Sequence, residues 1–194
     1  MSIRLAVLFS GGGTTILNLL DRIEDGTLDA EIVLAVASRN DITGIDRLAD
    51  RNIEVAVAKQ EGDSDKIIDE KIQAWLQDTQ PDLILLCGYL RLLPIESWMQ
   101  GRVLNIHPSL LPDFGGKGMF GIHVHEAVMK SGNCESGCTV HYVDDEYDHG
   151  PMLIQKTCTI SDDDTPQTLA SKVFALECLA YPEAIKKAAK KVTV

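Results

Sequence analysis

An asparagine and a histidine, Asn105 and His107, stand two residues apart directly after a short apolar run at residues 102–104. Alternate residues of an extended segment point to the same side, so both side chains can face one cleft. An imidazole moves protons near neutral pH, and an amide N–H can donate to a developing oxyanion. Pro108 and Pro112 follow and force the chain to turn. The spacing indicates chemistry at a strand exit; a buried, hydrogen-bonded histidine beside a turn is the alternative interpretation.

Residues 105–112 read Asn-Ile-His-Pro-Ser-Leu-Leu-Pro, and this string resembles a motif of the folate-dependent formyltransferases. In that family the Asn and the His are catalytic, and a downstream Asp-x-Gly segment carries a catalytic Asp. The matching segment here, residues 147–151, contains Asp148. The resemblance covers essentially the whole chain and implies that Asn105, His107 and Asp148 form one catalytic site. By this resemblance Asn105 donates to the oxyanion, and His107 shares that task and moves a proton. Asp148 stabilises the charged histidine or holds a water that relays protons.

A glycine-rich turn at residues 10–15 joins a predicted strand to a predicted helix. Backbone N–H groups at the start of a helix can bind a phosphate, although a purely structural turn is the alternative. The turn is not a full dinucleotide fingerprint, because Ile16 occupies the third glycine position, and it is not a Walker loop. In the resembling family, a turn at this place holds the phosphate of a ribonucleotide substrate. The residues to which this role would pass are Gly11, Gly12, Gly13 and Thr14.

The resemblance also implies a ribose contact and a folate site. Glu177 lies at the edge of the apolar stripe of the last predicted helix, four residues before Tyr181. A Glu placed in this way accepts the ribose hydroxyls in the family; a structural ion pair is the alternative. Arg91 is a lone cation among apolar residues, and it is either a surface residue or part of a pterin pocket. The implied folate-binding residues are Arg91, Leu92, Leu93, Asn105, Tyr142, Val143 and Asp144.

The sequence predicts no metal site. The acidic stretch at residues 144–150 fails the EF-hand pattern, since His149 stands at its sixth position and Gln155 at its twelfth. The four histidines other than His107 match no zinc signature. The five cysteines are scattered, and no second close pair complements Cys134 and Cys138. Reduced thiols in a cytoplasmic protein are the simplest interpretation.

Composition narrows the class of protein further. The chain has 194 residues, of which 45% are hydrophobic and 24% charged, as expected of one globular domain spanning residues 1–194. Its net charge of −11 argues against nucleic acid and anionic membranes as partners. The longest apolar runs are too short for a membrane span. We expect a monomer or homodimer with small-molecule substrates, and any anionic substrate needs a local positive site.

The elements that must position these residues alternate between strand and helix in the first half of the chain. Strand patterns lie at residues 3–9, 31–37, 54–58 and 82–87, and helix patterns at 14–22, 42–51 and 64–77. The second half has strands at 103–105, 138–144 and 152–159, a helix at 123–130, and a long last helix capped by Thr165 and broken or kinked at Pro182. These patterns predict an α/β fold. We expect a Rossmann-like, doubly wound, mostly parallel sheet with an antiparallel C-terminal portion and a long C-terminal helix.

The resemblance implies an activity: transfer of a formyl group from the co-substrate 10-formyltetrahydrofolate to the amine of glycinamide ribonucleotide, in de novo purine biosynthesis. Two alternatives stay open. One is another enzyme that uses formyltetrahydrofolate, such as a hydrolase or a tRNA formyltransferase, each of which carries a further domain. The other is a non-catalytic nucleotide-binding module. The segment at residues 114–121 is longer than the turn of many relatives; one interpretation places it over the active site.

Overall fold

The computed structural model describes residues 2–192. The chain alternates between strands and helices up to β5 and continues through a β hairpin into one long helix. The strands are β1 (Ile3–Phe9), β2 (Ala30–Ala37), β3 (Val55–Val57), β4 (Leu83–Leu86), β5 (Val103–His107), β6 (Glu135–Tyr142) and β7 (Met152–Thr159). The helices are α1 (Thr14–Glu24), α2 (Gly44–Ala49), α3 (Asp65–Thr79), α4 (Ile122–Lys130) and α5 (Pro166–Val192). The predicted fold class is confirmed.

The strands form one sheet of seven strands in the order β3-β2-β1-β4-β5-β6-β7. The first five strands are parallel, and β6 and β7 run antiparallel to their neighbours. The strand order reverses between β1 and β4, which makes a crevice at the carboxyl ends of these strands. The turn after β1, the loop after β4 and the end of β5 therefore meet at one edge of the sheet.

Two apolar layers cover the two faces of the sheet, and the alternation along β1 divides them. Leu5, Val7 and Phe9 pack into a layer with α1, α4 and α5. Ala6 and Leu8 point to the other face, into a layer with α3. Because both faces are covered, β1 is a continuous apolar run rather than an alternating one. We call these the α1–α5 layer and the α3 layer.

The helix α5 is capped as predicted, because Thr165 Oγ1 accepts a hydrogen bond of 3.2 Å from the Thr168 N–H. Of the break or kink expected at Pro182, the break does not occur, because the helix continues through this residue. The proline removes one helical hydrogen bond. Tyr181 and Ile185 on either side are fully buried, and their packing holds the helix in place. The Tyr181 hydroxyl lies 3.1 Å from the Leu86 carbonyl oxygen and 3.0 Å from that of Leu104, at the ends of β4 and β5.

The hairpin differs from the prediction in its bounds. β6 begins at Glu135 and ends at Tyr142, whereas the sequence favoured residues 138–144. The early residues, Ser136 and Gly137, have low strand propensity, but pairing with β7 keeps them extended. A side chain at position 137 would overlap the Lys156 carbonyl, so this glycine permits the close pairing. Among residues 2–192, no helix has both the length and the apolar character that a membrane span needs.

Candidate active site

Asn105, His107 and Asp148 meet at the carboxyl end of β5. The first two side chains extend from the strand itself, and Asp148 comes from the loop between β6 and β7. Asn105 Nδ2 donates to Asp148 Oδ1 over 3.0 Å, and His107 Nδ1 lies 3.4 Å from Asp148 Oδ2. The structure thus brings together three residues that the sequence separates by up to 43 positions.

Both ring nitrogens of His107 face hydrogen-bond acceptors. Nε2 lies 2.8 Å from the carbonyl oxygen of Phe114, which accepts only, so this nitrogen carries a proton. Nδ1 faces the Asp148 carboxylate. A neutral ring would place a lone pair against that carboxylate, whereas a charged ring donates to the Phe114 carbonyl and turns a second N–H toward Asp148. The surroundings of His107 therefore suit the imidazolium form.

Asp148 is held as a carboxylate. Burial alone would raise the pKa of Asp148, but contacts with His107 and His141 and the Gly116 N–H outweigh it and hold this pKa well below its usual range. The Gly116 N–H donates to Oδ2 over 2.9 Å. Asp148 also adopts a φ of +54°, a left-handed conformation uncommon for residues other than glycine. The carboxylate is therefore a negative centre that orients donors from several segments.

His141 is a site residue that the sequence interpretation missed. It pairs directly with Asn105 across the β5–β6 ladder. Its Nδ1 donates to the Tyr142 carbonyl over 2.9 Å, which leaves Nε2 to accept from Asn105 Nδ2 over 3.1 Å. Both hydrogens of the Asn105 amide consequently have partners. This contact depends on the pairing register between β5 and β6, which the sequence alone does not specify.

These residues line a cavity of about 750 Å³, a size typical of small-molecule sites. One wall comes from α1 and α5 and contains Gly11, Thr15 and Glu177. The opposite wall comes from the loop after β4 and contains Leu92 and Leu93, with Val143 beside them. The candidate ribonucleotide and folate residues thus divide between two walls, with Asn105 and His107 also lining the cavity.

The glycine turn presents the start of α1 to this cavity. Gly13 caps the helix with a φ of +68°, and no side chain caps the first-turn N–H groups. Gly12, Gly13 and Thr14 do not line the cavity itself, in contrast to Gly11. From α2, Arg47 Nη1 donates to the Gly12 carbonyl over 2.6 Å and fixes the direction of that peptide. Arg47 carries no local sequence signal and was missed.

Glu177 opens onto the cavity but is surrounded by protein. Burial raises its pKa to about 7, against the opposing effect of His107.

His125 on α4 also lines the cavity, and within residues 2–192 its Nδ1 is buried without a hydrogen-bond partner. Burial, aided by the charge of His107, lowers the pKa of His125. The sequence interpretation considered His125 only as a metal ligand; among residues 2–192, no such group of ligands is assembled.

The folate candidates separate into those that line the cavity and those that do not. Arg91 lines it but is not a lone cation, because its guanidinium pairs with Asp65 at 2.7 Å and Asp69 at 3.0 Å on α3. The side chain of Tyr142 points to the opposite face of the sheet, where Lys191 lies 5.6 Å from its ring centre. Asp144 accepts from His149 over 2.8 Å and also lies outside the lining. Neither Tyr142 nor Asp144 lines the cavity, whereas Val143 between them does.

The segment at residues 114–121 borders the cavity, which agrees with the interpretation that places it over the site. Its start is tied to the catalytic candidates, through the Phe114 carbonyl on His107 and the Gly116 N–H on Asp148. A tight turn follows, in which the Met119 N–H donates to the Gly116 carbonyl over 3.0 Å. Phe114 itself has a φ of +58°.

Comparisons with known proteins agree with this geometry. The formyl transferase family model matches residues 3–185. A chloroplastic phosphoribosylglycinamide formyltransferase of Arabidopsis thaliana is 40% identical over 187 residues, which are 94% of this chain and 64% of that protein. The chain thus spans less than two thirds of this plant relative. The phosphoribosylglycinamide formyltransferase of Haemophilus influenzae is 31% identical, and the match covers 94% of this chain and 85% of the relative.

Solved structures show the same likeness over a fuller length. The crystal structure of phosphoribosylglycinamide formyltransferase from Brucella melitensis is 35% identical and superimposes with a TM-score of 0.87. That match covers 97% of this chain and 96% of the other. The extent of the family match and these near-complete alignments lead to one conclusion: this chain belongs to the formyl transferase family.

Proposed function

We propose that this chain transfers the formyl group of 10-formyltetrahydrofolate to the amine of glycinamide ribonucleotide. The observation that carries the proposal is the meeting of Asn105, His107 and Asp148 in one cavity between two chemically different walls. Relatives named phosphoribosylglycinamide formyltransferase support the same substrate. The reaction belongs to de novo purine biosynthesis.

The ribonucleotide is proposed to lie against the wall formed by α1 and α5. The first-turn N–H groups of α1 are oriented for a phosphate, and the dipole of the helix favours negative charge there. Glu177 on α5 then accepts hydrogen bonds from the ribose hydroxyls. This arrangement directs the amine of the substrate toward Asn105 and His107.

The folate is proposed to lie against the loop after β4. Leu92 and Leu93 give apolar contact, and Val143 closes the same wall. Arg91, fixed by Asp65 and Asp69, frames the pocket rather than offering a free charge. Backbone groups of residues 142–148 remain available to the polar edge of the pterin.

The chemistry begins with attack of the amine on the formyl carbon, and an oxyanion develops on the formyl oxygen. His107, charged and oriented by Asp148, stabilises this oxyanion, and Asn105 contributes an amide N–H. Both Asn105 hydrogens already have acceptors, so donation requires the amide to exchange Asp148 or His141 for the oxyanion. The attacking nitrogen loses a proton as the oxyanion collapses to the carbonyl of the new formamide. The formyl C–N bond to the folate breaks, and the departing nitrogen takes a proton.

That proton has two routes to the departing nitrogen. It leaves His107 Nε2 once the Phe114 carbonyl withdraws, or it passes through a water beside the His107–Asp148 pair. The 3.4 Å separation within that pair is longer than a good N–H···O bond, and leaves the water route open. In both routes Asp148 stays ionised. In the first route the proton released by the attacking amine replaces the one that His107 has given up.

The proposal is tested by incubating the protein with glycinamide ribonucleotide and 10-formyltetrahydrofolate and by measuring formylated ribonucleotide. Asp148→Asn should lower kcat at least about 100-fold, since the charge that orients His107 is lost. Asp145→Asn, a change in the same loop outside the cavity lining, is the matched control. Release of formate without a formylated product would favour a hydrolase, and binding of the nucleotide without turnover would favour a non-catalytic module.

We also propose that the protein acts on small molecules without nucleic acid or a membrane, as a monomer or homodimer in the cytoplasm. The charge of −11 supports the first part, because it opposes binding to polyanions. Sedimentation equilibrium measures the assembly state, and fractionation of cells measures the compartment.

A further inference from the structure

Lys117 lines the cavity, and the proposed mechanism gives it no role. It is one of two Lys or Arg residues in the cavity lining, and the other is Arg91. Arg91 is neutralised by two aspartates on α3. Within residues 2–192, no hydrogen bond or ion pair joins Lys117 to another residue. Lys117 is therefore the free positive charge at the edge of a cavity in an acidic protein.

The backbone holds Lys117 at the tip of a tight turn. The turn runs from Gly116 to Met119, closed by the Met119 N–H on the Gly116 carbonyl at 3.0 Å. Gly118 has a φ of +90°, the conformation that a type II turn requires at its third residue. Lys117 is the second residue of this turn, where the side chain projects outward.

Both ends of the turn are anchored. Gly116 donates its N–H to the Asp148 carboxylate over 2.9 Å, next to the reacting groups. At the other end, Met119 packs against the α1–α5 layer. Phe114, which precedes the turn, packs against the same layer. The turn is thus attached to the side of the molecule that carries the glycine turn and Glu177. The folate wall, with Tyr89 and Leu93, belongs to the α3 layer.

We propose that Lys117 binds the phosphate of the ribonucleotide from the side opposite the α1 N–H groups. The inference rests on the proposed function, because the ribonucleotide supplies the phosphate. The α1 N–H groups are neutral donors, and the chain has a net charge of −11. Arg47 reaches this turn from α2, but its Nη1 already donates to the Gly12 carbonyl and to Thr14 Oγ1. The ammonium group of Lys117 complements the N–H groups with a positive charge that has no partner in the part of the chain that the structure describes. Because Gly116 contacts Asp148, phosphate binding by Lys117 also fixes the segment against the reacting groups.

The test compares Lys117→Met and Lys117→Arg with Lys130→Met. Lys130 is an exposed lysine at the end of α4 outside the cavity lining, so its replacement removes the same charge elsewhere. Titration calorimetry measures the affinity of each protein for ribose 5-phosphate and for ribose. Steady-state kinetics then give the KM for each substrate.

We expect Lys117→Met to weaken ribose 5-phosphate binding and to raise the KM for the ribonucleotide by about tenfold, less at high salt. Lys117→Arg should stay close to the wild type, and Lys130→Met should equal it. An unchanged affinity for ribose 5-phosphate in Lys117→Met overturns the inference. An effect confined to the KM for the folate also overturns it, since the lysine would then serve the folate carboxylates. If the wild-type protein does not bind ribose 5-phosphate, it has no phosphate site, and the inference is wrong for that reason too.

The two proposals can fail separately. If the wild type binds ribose 5-phosphate through Lys117 but formylates nothing, the proposed reaction is wrong and the phosphate contact stands. If the wild type formylates the ribonucleotide and Lys117→Met behaves as Lys130→Met does, the reaction stands and the contact is wrong.

Discussion

At the scale of single residues, Asp148 organises the site. Its two oxygens receive the Asn105 amide, the Gly116 N–H and the charge of His107. The donors come from β5 and from the segment at residues 114–121, which the carboxylate holds together. The ring of His107 is held at both nitrogens, because Nδ1 faces Asp148 and Nε2 lies against the Phe114 carbonyl.

Replacement of His107 by Ala should lower kcat by about 100-fold or more and leave both KM values nearly unchanged. The loss falls on kcat because the charged ring acts on groups that develop charge only in the transition state. His123→Ala, at an exposed position on α4, is the matched control. Steady-state kinetics provide the measurement, with circular dichroism to verify folding. Near-normal kcat in His107→Ala would mean that the ring has a structural role.

The pKa of Glu177 predicts a pH dependence. Burial raises this pKa to about 7, so the side chain is mostly neutral below that pH and mostly ionised above it. A carboxylate accepts hydrogen bonds from ribose hydroxyls better than a carboxylic acid does. The KM for the ribonucleotide should therefore fall severalfold between about pH 6 and about pH 8.

The matched variant for this pH effect is Glu177→Gln, in which the group no longer titrates. Its KM should be higher at neutral pH and should lose the part of the pH dependence that Glu177 contributes. The phosphate of the substrate titrates at about pH 6 with either protein, so its effect cancels when the two pH profiles are compared. If the two pH profiles have the same shape, the ionisation of Glu177 does not govern binding.

At the scale of elements, the carboxyl ends of β1, β4 and β5 build the cavity. The turn after β1 and the loop after β4 are joined directly, since the Ser10 N–H donates to the Gly88 carbonyl over 3.1 Å. In return, the Ser10 hydroxyl accepts from the Leu90 N–H over 3.0 Å. The two walls of the cavity are therefore linked at their base.

A Val in place of Gly12 should raise the KM for the ribonucleotide far more than the KM for the folate. A β-carbon at this position would lie 3.3 Å from Arg47 Nη1, so a branched side chain must displace the guanidinium that holds the turn. The first-turn N–H groups would then lose their alignment with the phosphate. Steady-state kinetics with each substrate varied provide the measurement, and equal effects on both KM values would indicate a turn that only joins strand to helix.

Many of the strands and helices were predictable from the sequence, because β1 and β4 are apolar runs and the apolar residues of α3 have helical spacing. The motif at residues 105–112 located the end of β5 and the candidate residues Asn105 and His107. The sequence does not contain the pairing register between β5 and β6. That register places His141 opposite Asn105, and it is set by the tertiary structure. The resemblance implied that the backbone of residues 142–148 contacts the folate, and the Tyr142 ring itself faces Lys191.

Long-range packing also overrode local signals. Pro182 predicted a break or a kink in the last helix, and α5 continues through it with buried residues on either side. Arg91 read as a lone cation because Asp65 and Asp69 lie more than twenty positions away in the sequence. Arg47 had no motif at all, and only the packing of α2 beside the glycine turn reveals its contact with Gly12.

At the scale of the whole molecule, one sheet with two apolar layers carries all the candidate site residues. We predict that the protein unfolds in urea in one cooperative transition, as a single domain does. The tryptophans, Trp75 and Trp98, both pack against the α3 layer. Their fluorescence should report the same midpoint as far-ultraviolet circular dichroism, which reports all helices. Separate midpoints would divide the chain into units that unfold independently.

The two layers have a consequence for how the proposed activity can be altered. The wall proposed for the ribonucleotide lies beside the α1–α5 layer, whereas the wall proposed for the folate lies beside the α3 layer on the other face of the sheet. We expect a core substitution in one layer to act mainly on the wall beside it. Mutation or laboratory evolution should then adjust affinity for the acceptor and affinity for the donor largely one at a time, without contacting either ligand.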